Sequence, residues 1–228
     1  MQINKIDDFY DILKQYNGVD ANILFRGVRN SNFKLTPTVG RLKTKNDTQL
    51  GVEDEKLILK IFKHRGYPFI KDYKDDDLEI LSIGQHHGLP TRLLDWTKDL
   101  LTAMFFAVEE PFSKTDLEST EFSCLYIYRP ENSVTLDSTF DPFKITTVKR
   151  FIPKHWDRRI ISQNGQFTVH PKPYESWTPN GLEEVLIHHE IRKEIKVHLN
   201  RMGIHGGTIY PDLDGIAKHV KYLRSNEH

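Results

Sequence analysis

The chain has 228 residues, of which 38% are hydrophobic and 11% are aromatic. A sequence this rich in aromatic residues is not intrinsically disordered, and its length is enough for one domain with a sizeable core. The 32 basic and 32 acidic residues cancel. The composition therefore excludes a protein that coats nucleic acid through bulk positive charge, while a local basic patch stays open.

Cysteine content and hydropathy predict a soluble cytoplasmic protein. The single cysteine, Cys124, cannot form an internal disulfide framework and is typical of a reducing compartment. The polar N-terminal residues do not have the pattern of a signal peptide. The longest nearly apolar run, Leu100 to Val108, has nine residues, whereas a membrane-spanning helix needs roughly 20. We expect no membrane partner.

The first half of the chain has the pattern of helices with one early strand. Apolar residues recur at intervals of three and four in several segments, which is the spacing of one helix face. A short apolar run predicts a buried strand, and a stretch rich in Pro, Gly, Ser and Asn predicts a loop. We expect helices over 6–16, 53–64 and from 71–79 to about His86, a strand over 22–27 and a loop over 30–50.

The second half mixes helices with short, separated strands. We expect helices over 99–109, 158–162, 190–202 and from Pro211, strands over 123–129, 166–170 and 184–189, and a turn-rich segment over 130–150. Because strands and helices do not alternate regularly, the fold class is α+β, with short mixed strands flanked by helices. No boundary divides 1–228, so we expect one domain with a motif-bearing core of about 20–215.

The common enzyme motifs are absent from the sequence. There is no GxxxxGK[ST] motif, no GxGxxG motif after a strand, and no HExxH, CxxC or GxSxG motif. The sequence therefore gives no support to a P-loop, Rossmann, zinc-finger or common hydrolase function.

The densest polar segment is QHHGLPTRLLDWT, residues 85–97, which we place on a turn between two apolar helices. One interpretation is a buried network in which Arg92 pairs with Asp95 while Trp96 packs, because a buried polar group without a partner costs about 1–3 kcal/mol. The other is a ligand site in which His86 carries or donates a proton.

An earlier tripeptide, Phe25-Arg26-Gly27, stands at the end of the first predicted strand. Glycine lets another group approach the backbone closely. Arginine offers a planar fork that fits a phosphate or a carboxylate. Arg26 is therefore a candidate anion-binding residue, or else one partner of a salt bridge to Asp95.

A basic segment over 144–159 is a second candidate binding surface. It interleaves basic and aromatic side chains: Lys144, Lys149, Arg150, Lys154, His155, Arg158 and Arg159 with Phe143, Phe151 and Trp156. Such a pattern suits single-stranded nucleic acid, in which phosphates pair with cations and bases stack on rings. The alternative is a solvated surface segment whose aromatic residues anchor it to the core.

Eleven histidines raise the question of a metal site. His188, His189 and Glu190 are adjacent, but neighbouring side chains on a strand point to opposite faces. No further histidine follows at the spacing of a helical ligand pair. We therefore expect no metal.

Together these segments resemble the FRG-domain family, a bacterial family named after its tripeptide. The blocks that match are 24–27 with Leu35, Pro37 and Arg41, then 85–86 and 88–97 with the apolar 103–108, then Arg159, Gln163, Gly165 and Phe167, and more loosely 186–215. FRG domains often occur in mobile or defence-related contexts, and they are suspected of a relationship to the ADP-ribosyltransferase fold.

The resemblance implies an NAD-consuming transferase. In that fold an early-strand arginine grips NAD, a middle strand supplies a polar residue, and a late acidic residue faces the ribose. Carried onto this chain, the catalytic candidates are Arg26, His86, Gln163 and Glu184, and the NAD-binding candidates are Arg26, Arg92, Asp95 and Trp96.

Three functional hypotheses follow. The first is a toxin or phage-defence effector that ADP-ribosylates nucleic acid or protein and has an antitoxin or immunity partner. The second is a non-catalytic module that binds a nucleotide or nucleic acid through Arg26 and 144–159. The third is a scaffold or interaction domain whose motifs only hold the core together.

Overall fold

A mixed sheet of eight strands runs through the part of the chain that the computed structural model describes, residues 1–16, 18, 22–70, 72, 76–130, 135–136 and 140–224. The strands are β1 (Gln2–Ile3), β2 (Leu24–Val28), β3 (Leu93–Thr97), β4 (Phe122–Tyr128), β5 (Thr135–Leu136), β6 (Lys149–Phe151), β7 (Gly165–Val169) and β8 (Glu183–His188). Their order is β1-β8-β4-β2-β3-β7-β6-β5. The two outermost pairs are parallel and the inner pairs antiparallel.

Helices surround this sheet. They are α1 (Ile6–Gln15), α2 (Val52–Ile70), α3 (Asp77–His86), α4 (Leu100–Val108), α5 (Lys114–Ser119), α6 (Arg158–Ser162), α7 (Arg192–Arg201), α8 (Gly206–Ile209) and α9 (Leu213–Arg224), with 3-10 turns at Val39–Arg41 and His189–Ile191. Capping side chains begin several of them, because an Asp or Ser oxygen accepts an otherwise unpaired backbone N–H. Asp76, Asp99, Ser113 and Asp157 do so for α3 to α6.

The predicted single α+β domain is confirmed, and so are its main strands. Two details of the prediction were wrong. The segment 85–97 is not only a turn, because its last residues form β3 inside the sheet. The helix predicted over 53–64 continues through Pro68 to Ile70. The short helices α5 and α8 were not predicted, and most of the 131–139 stretch lies outside the described residues.

The core on one face of the sheet depends on close contact between α4 and β2. Apolar side chains of α1, α4 and α7 pack there against strands β2, β4 and β8. Gly27 lies directly beneath α4, and a Cβ atom at this position would be 1.8 Å from the carbonyl oxygen of Ala103 and 2.6 Å from the amide nitrogen of Ala107. The glycine therefore sets how closely the helix approaches the strand.

We expect Gly27→Ala to lower the free energy of unfolding by about 1–3 kcal/mol, because the helix must move away from a well-packed strand. Urea unfolding measures the change. Gly66→Ala in α2 is the matched control, since its new Cβ would meet only Ile70 side-chain atoms at 3.6 Å or more. The control should be neutral or stabilising by up to about 1 kcal/mol. Equal effects of the two substitutions would contradict this account.

The sheet opens at its centre, between β2 and β3. These two strands share one paired position, Phe25 with Thr97. By contrast, β2 pairs with β4 along its whole length, and β3 does so with β7. The sheet therefore consists of two halves that touch at one point and then separate. The tripeptide lies on one side of the opening and the segment 85–97 on the other.

No helix among the described residues is both long and apolar enough to cross a membrane.

Candidate active site at the opening of the sheet

A cavity of about 420 Å³ occupies the opening between the two halves of the sheet. Its walls come from β2, β3 and β7 together with α3, α4 and α6 and with Tyr210. This volume lies within the ~300–1,000 Å³ typical of small-molecule sites. Polar residues that line the cavity include Arg26, His86, Asp95, Arg159, Gln163 and Gln166.

Arg26 projects from β2 across the opening toward β3. Its side chain is 21% exposed. Nη1 donates a hydrogen bond of 2.7 Å to the main-chain oxygen of Asp95, and the Asp95 carboxylate lies 3.5 Å away. A guanidinium carries five N–H donors, and among the described residues Asp95 is the partner seen for this one. Most of the fork therefore remains available to an anion.

Among the described residues that line the cavity, Asp95 is the one with a carboxylate side chain. It is 61% exposed and only loosely paired with Arg26, so its oxygens are accessible to a ligand. A second arginine lies nearby: burial lowers the pKa of Arg41, and the positive charge of Arg26 lowers it further, while Asp95 raises it. Two cations and one carboxylate thus lie together on this side of the opening.

His86 lies on the opposite wall, at the end of α3. Its ring packs edge-to-face against Trp156 with centroids 5.2 Å apart, and Nε2 is 3.8 Å from the Asp157 carboxylate. Burial lowers the pKa of His86, an effect that Asp157 partly opposes. The imidazole is therefore neutral near pH 7 and able to accept a proton.

Gln163 lies beside His86 on the same wall, at the end of α6. Its main-chain oxygen accepts a hydrogen bond of 2.6 Å from the Thr97 hydroxyl, and its side-chain Nε2 donates to the Ile209 oxygen at 3.2 Å. These bonds hold Gln163 in the wall of the cavity. The chain at Ile209 thereby helps to position Gln163.

Arg92, which the sequence assigned to the ligand pocket, lies elsewhere. It is 1% exposed and forms two hydrogen bonds to Glu55, from Nε at 2.9 Å and from Nη2 at 2.8 Å, with a third from Nη1 to the Pro142 oxygen. Its guanidinium also stacks on Phe143. The expected partner Asp95 is therefore corrected to Glu55, because side chains three positions apart along an extended chain project to opposite faces.

Glu184, the predicted late acid, also lies outside the cavity. It is exposed, and the sheet register places it in a row with Tyr126 and Arg26 on β8, β4 and β2. Two strand spacings separate Glu184 from Arg26, which is about 10 Å. Asp95 is closer to Arg26 than Glu184 is. The structure thus brings Arg26, His86, Asp95, Trp96 and Gln163 together and leaves Arg92 and Glu184 apart.

The basic segment 144–159 is not one continuous surface. Arg150 is buried and donates to Gln166 at 2.7 Å, and Phe151 belongs to the core. Lys144 and Lys154 pair with Asp141 and Asp76. The structure therefore agrees with the second interpretation of this segment, in which the aromatic residues anchor it to the core.

Arg159 and Tyr210 line the cavity, although the sequence assigned neither of them to the NAD site. Arg159 donates from Nε to Asp212 at 2.8 Å and lies over the ring of Tyr210, which itself lines the cavity. Tyr210 donates its hydroxyl hydrogen to Glu109 at 2.8 Å. The basic residue Arg159 was visible in the sequence, but its pairing with an aspartate more than fifty residues later was not.

Residues 21–116 match the family model described as FRG domain, which confirms the family predicted from the tripeptide and from the segment 85–97. The match includes Arg26, His86 and Asp95 and ends before Gln163 and Glu184. No curated protein and no solved structure matches the chain.

Proposed function

Because residues 21–116 of this chain match the FRG-domain family model, we propose that it is an NAD-dependent ADP-ribosyltransferase. It would act on nucleic acid or protein as a bacterial toxin or phage-defence effector. The observation that carries the proposal is the position of Arg26, a half-buried guanidinium at the mouth of a cavity between two separating halves of a sheet. A dinucleotide has the paired phosphates that such a fork suits.

Arg26 binds the pyrophosphate of NAD in this proposal. Trp156 and Tyr210 line the same cavity and offer rings on which nicotinamide or adenine can stack. Gln163 presents an amide oxygen to a ribose hydroxyl. These contacts hold the substrate in the cavity that Asp95 and His86 also line.

The reaction breaks the bond between ribose C1′ and the nicotinamide nitrogen, and the electron pair leaves with nicotinamide. The Asp95 carboxylate stabilises the positive charge that develops on the ribose, as carboxylates do in glycoside hydrolysis. An acceptor O–H or N–H group then attacks C1′. Neutral His86 takes the acceptor's proton, and Asp157 beside it stabilises the imidazolium that forms.

The first test incubates the full chain with labelled NAD and mixed bacterial RNA, DNA and lysate. Arg26→Ala should lower label transfer at least ~100-fold, the size expected when a charge-stabilising donor is removed. Arg201→Ala, an exposed arginine outside the cavity, should leave transfer unchanged. Near-ultraviolet circular dichroism checks that both variants are folded. A folded wild type without transfer overturns the proposal, and an unfolded Arg26→Ala supports the scaffold hypothesis.

A second test separates the two candidate acids. Asp95 lines the cavity and Glu184 does not, so Asp95→Asn should lower label transfer by ~100-fold or more while Glu184→Gln leaves it within about twofold. Both changes remove one negative charge from an exposed side chain, which makes them a matched pair. The opposite ranking would restore the late acid that the family resemblance implies.

The proximity of Arg26 and Arg41 favours a second candidate function, a module that binds an anionic ligand without changing it. Such a module shows saturable binding of NAD or oligonucleotide without covalent transfer. Its affinity falls steeply between 50 and 200 mM salt if several phosphates are contacted. Calorimetry at two salt concentrations, run beside the label-transfer assay, distinguishes the two functions.

A further inference from the structure

We propose that Glu121, His188 and His189 form a binding site for one divalent transition-metal ion, with zinc as the expected occupant. One nitrogen of each histidine and one carboxylate oxygen lie within 4.8 Å of one another. Two imidazoles and one carboxylate are a donor set that zinc uses in proteins. The sequence had argued against such a site at these histidines.

The two histidines converge because the strand ends between them. β8 finishes at His188, and His189 begins the 3-10 turn His189–Ile191. A continuous strand would point the two side chains to opposite faces. At this junction the chain turns instead, and the ring centroids lie 4.6 Å apart with an angle of 35° between their planes.

Backbone pairing brings Glu121 to the same place. The amide of His189 donates a hydrogen bond of 2.8 Å to the main-chain oxygen of Glu121, and the next residue, Phe122, pairs with His188 across β4 and β8. The three ligands therefore stand on two backbone segments that the sheet already fixes. Such preorganisation lowers the entropy lost when an ion binds.

Aromatic neighbours orient both imidazoles. Phe112 stacks on His189 with ring centroids 6.1 Å apart, and the ring of Phe122 meets His188 edge-to-face at 5.4 Å.

Zinc ligands at 2.0–2.1 Å in a tetrahedron are about 3.4 Å apart. Because the ligand atoms lie within 4.8 Å of one another, closing the cluster requires at most about 1.4 Å of movement, to which the exposed Glu121 side chain can contribute.

Glu190 lies close to Nδ1 of the His188 ring. Its carboxylate lies 3.8 Å from Nδ1 of His188, and its amide nitrogen lies 3.4 Å from the same atom. When Nε2 binds a metal, Nδ1 carries the proton and donates it to an acceptor, commonly a carboxylate. With Nε2 of His188 bound to the metal, Nδ1 carries a proton and can no longer accept from the Glu190 amide. The Glu190 carboxylate then becomes the hydrogen-bond partner of Nδ1.

The metal site is independent of the proposed transferase activity. None of its three ligands lines the cavity at the opening of the sheet. The site lies where β8 ends and β4 begins, and a bound ion links these two chain segments. Three protein ligands leave a fourth position for water or another donor.

Isothermal titration of the chelator-treated full chain with zinc chloride tests the proposal, with cobalt(II) absorption as a second measurement. The wild type should bind one equivalent and show the intense visible bands of tetrahedral cobalt. His188→Asn, His189→Asn and Glu121→Gln should each weaken binding at least ~10-fold, and Glu190→Gln should weaken it by about 10-fold. His64→Asn changes an exposed histidine elsewhere and should bind like the wild type.

The same titration contains the result that overturns the proposal. The proposal is wrong if the folded wild type does not bind one equivalent of zinc. It is also wrong if the double variant His188→Asn/His189→Asn still binds zinc like the wild type. Zinc should also raise the melting temperature of the wild type and of His64→Asn, because an ion that binds only the folded state stabilises it. The double variant should show no such rise.

Discussion

Arg92→Met is expected to lower the free energy of unfolding by about 3–5 kcal/mol, the largest loss among the single substitutions considered. The substitution preserves most of the side-chain volume but removes the guanidinium that pairs with Glu55 through two hydrogen bonds. Glu55 is 6% exposed, so its carboxylate would remain buried without its cation. The Pro142 oxygen would also lose its donor.

Urea unfolding at pH 7 measures this effect, and a double variant identifies its cause. Arg92→Met/Glu55→Leu removes both charges together, so it should be more stable than Arg92→Met alone, because the penalty comes mainly from the unpaired charge. Lys14→Met breaks the exposed pair with Asp11 and should leave the urea midpoint unchanged. A double variant less stable than the single one would show that the ion pair itself stabilises the fold.

Residues of the segment 85–97 have separate roles. Arg92 joins β3 to α2 and to the chain near Pro142, which is a structural function. Three residues later, Asp95 faces the cavity and contacts Arg26. One short segment therefore builds the wall of the site and supplies a polar group inside it, which explains why its polar residues seemed to form a single cluster in the sequence.

Local sequence patterns predicted the elements well and the opening of the sheet not at all. Apolar periodicity identified α1, α4 and α7 and the strands β2, β4, β7 and β8. The strand β3 was missed because Leu93 and Leu94 follow a proline-containing turn and precede α4 closely. The opening depends on the single pairing of Phe25 with Thr97, and pairing between distant strands leaves no local pattern.

The candidate site was predictable where residue type alone decides the chemistry. Arg26 and Asp95 were recognised as a candidate pair, and they do contact each other. Glu55 was not recognised as a partner of Arg92, because an acidic residue early in a helix has the ordinary pattern of a solvated, dipole-stabilising side chain. The side chains of His188 and His189 were expected on opposite faces of a strand and instead converge, because the strand ends at His188 and a turn begins at His189.

A buried histidine gives the second large effect, an acid-sensitive core. His170 is 1% exposed, and burial lowers its pKa from 6.5 to about 3, with Arg26 and Arg92 adding to the shift. Trp96 donates its indole N–H to the Thr168 oxygen at 3.0 Å, and the Thr168 hydroxyl lies 2.9 Å from Nε2 of His170. Protonation of His170 would place a positive charge in this buried chain, near Arg26 and Arg92.

The direction of the pH effect follows from the lowered pKa. As pH falls below 6.5, His170 becomes protonated in the unfolded chain, whereas in the folded chain it stays neutral until the pH approaches its pKa of about 3. The stability that neutral His170 preserves is therefore complete above pH 6.5 and is lost as pH falls from there to about 3. By pH 4 the loss is on the order of 3 kcal/mol, at about 1.4 kcal/mol per pH unit.

His170→Gln is the variant that isolates this residue, because its amide oxygen can accept the Thr168 hydrogen bond but cannot bind a proton in this range. Urea unfolding of both proteins from pH 7 to pH 4 measures the difference in their stability. Other titrating groups, among them His86, His205 and His219, whose pKa values burial also lowers, are common to both proteins and cancel in that difference. The wild type should lose about 3 kcal/mol more than the variant, whereas parallel curves would mean that the folded core accommodates a charged His170, and that the cavity wall formed by Trp96 tolerates acid.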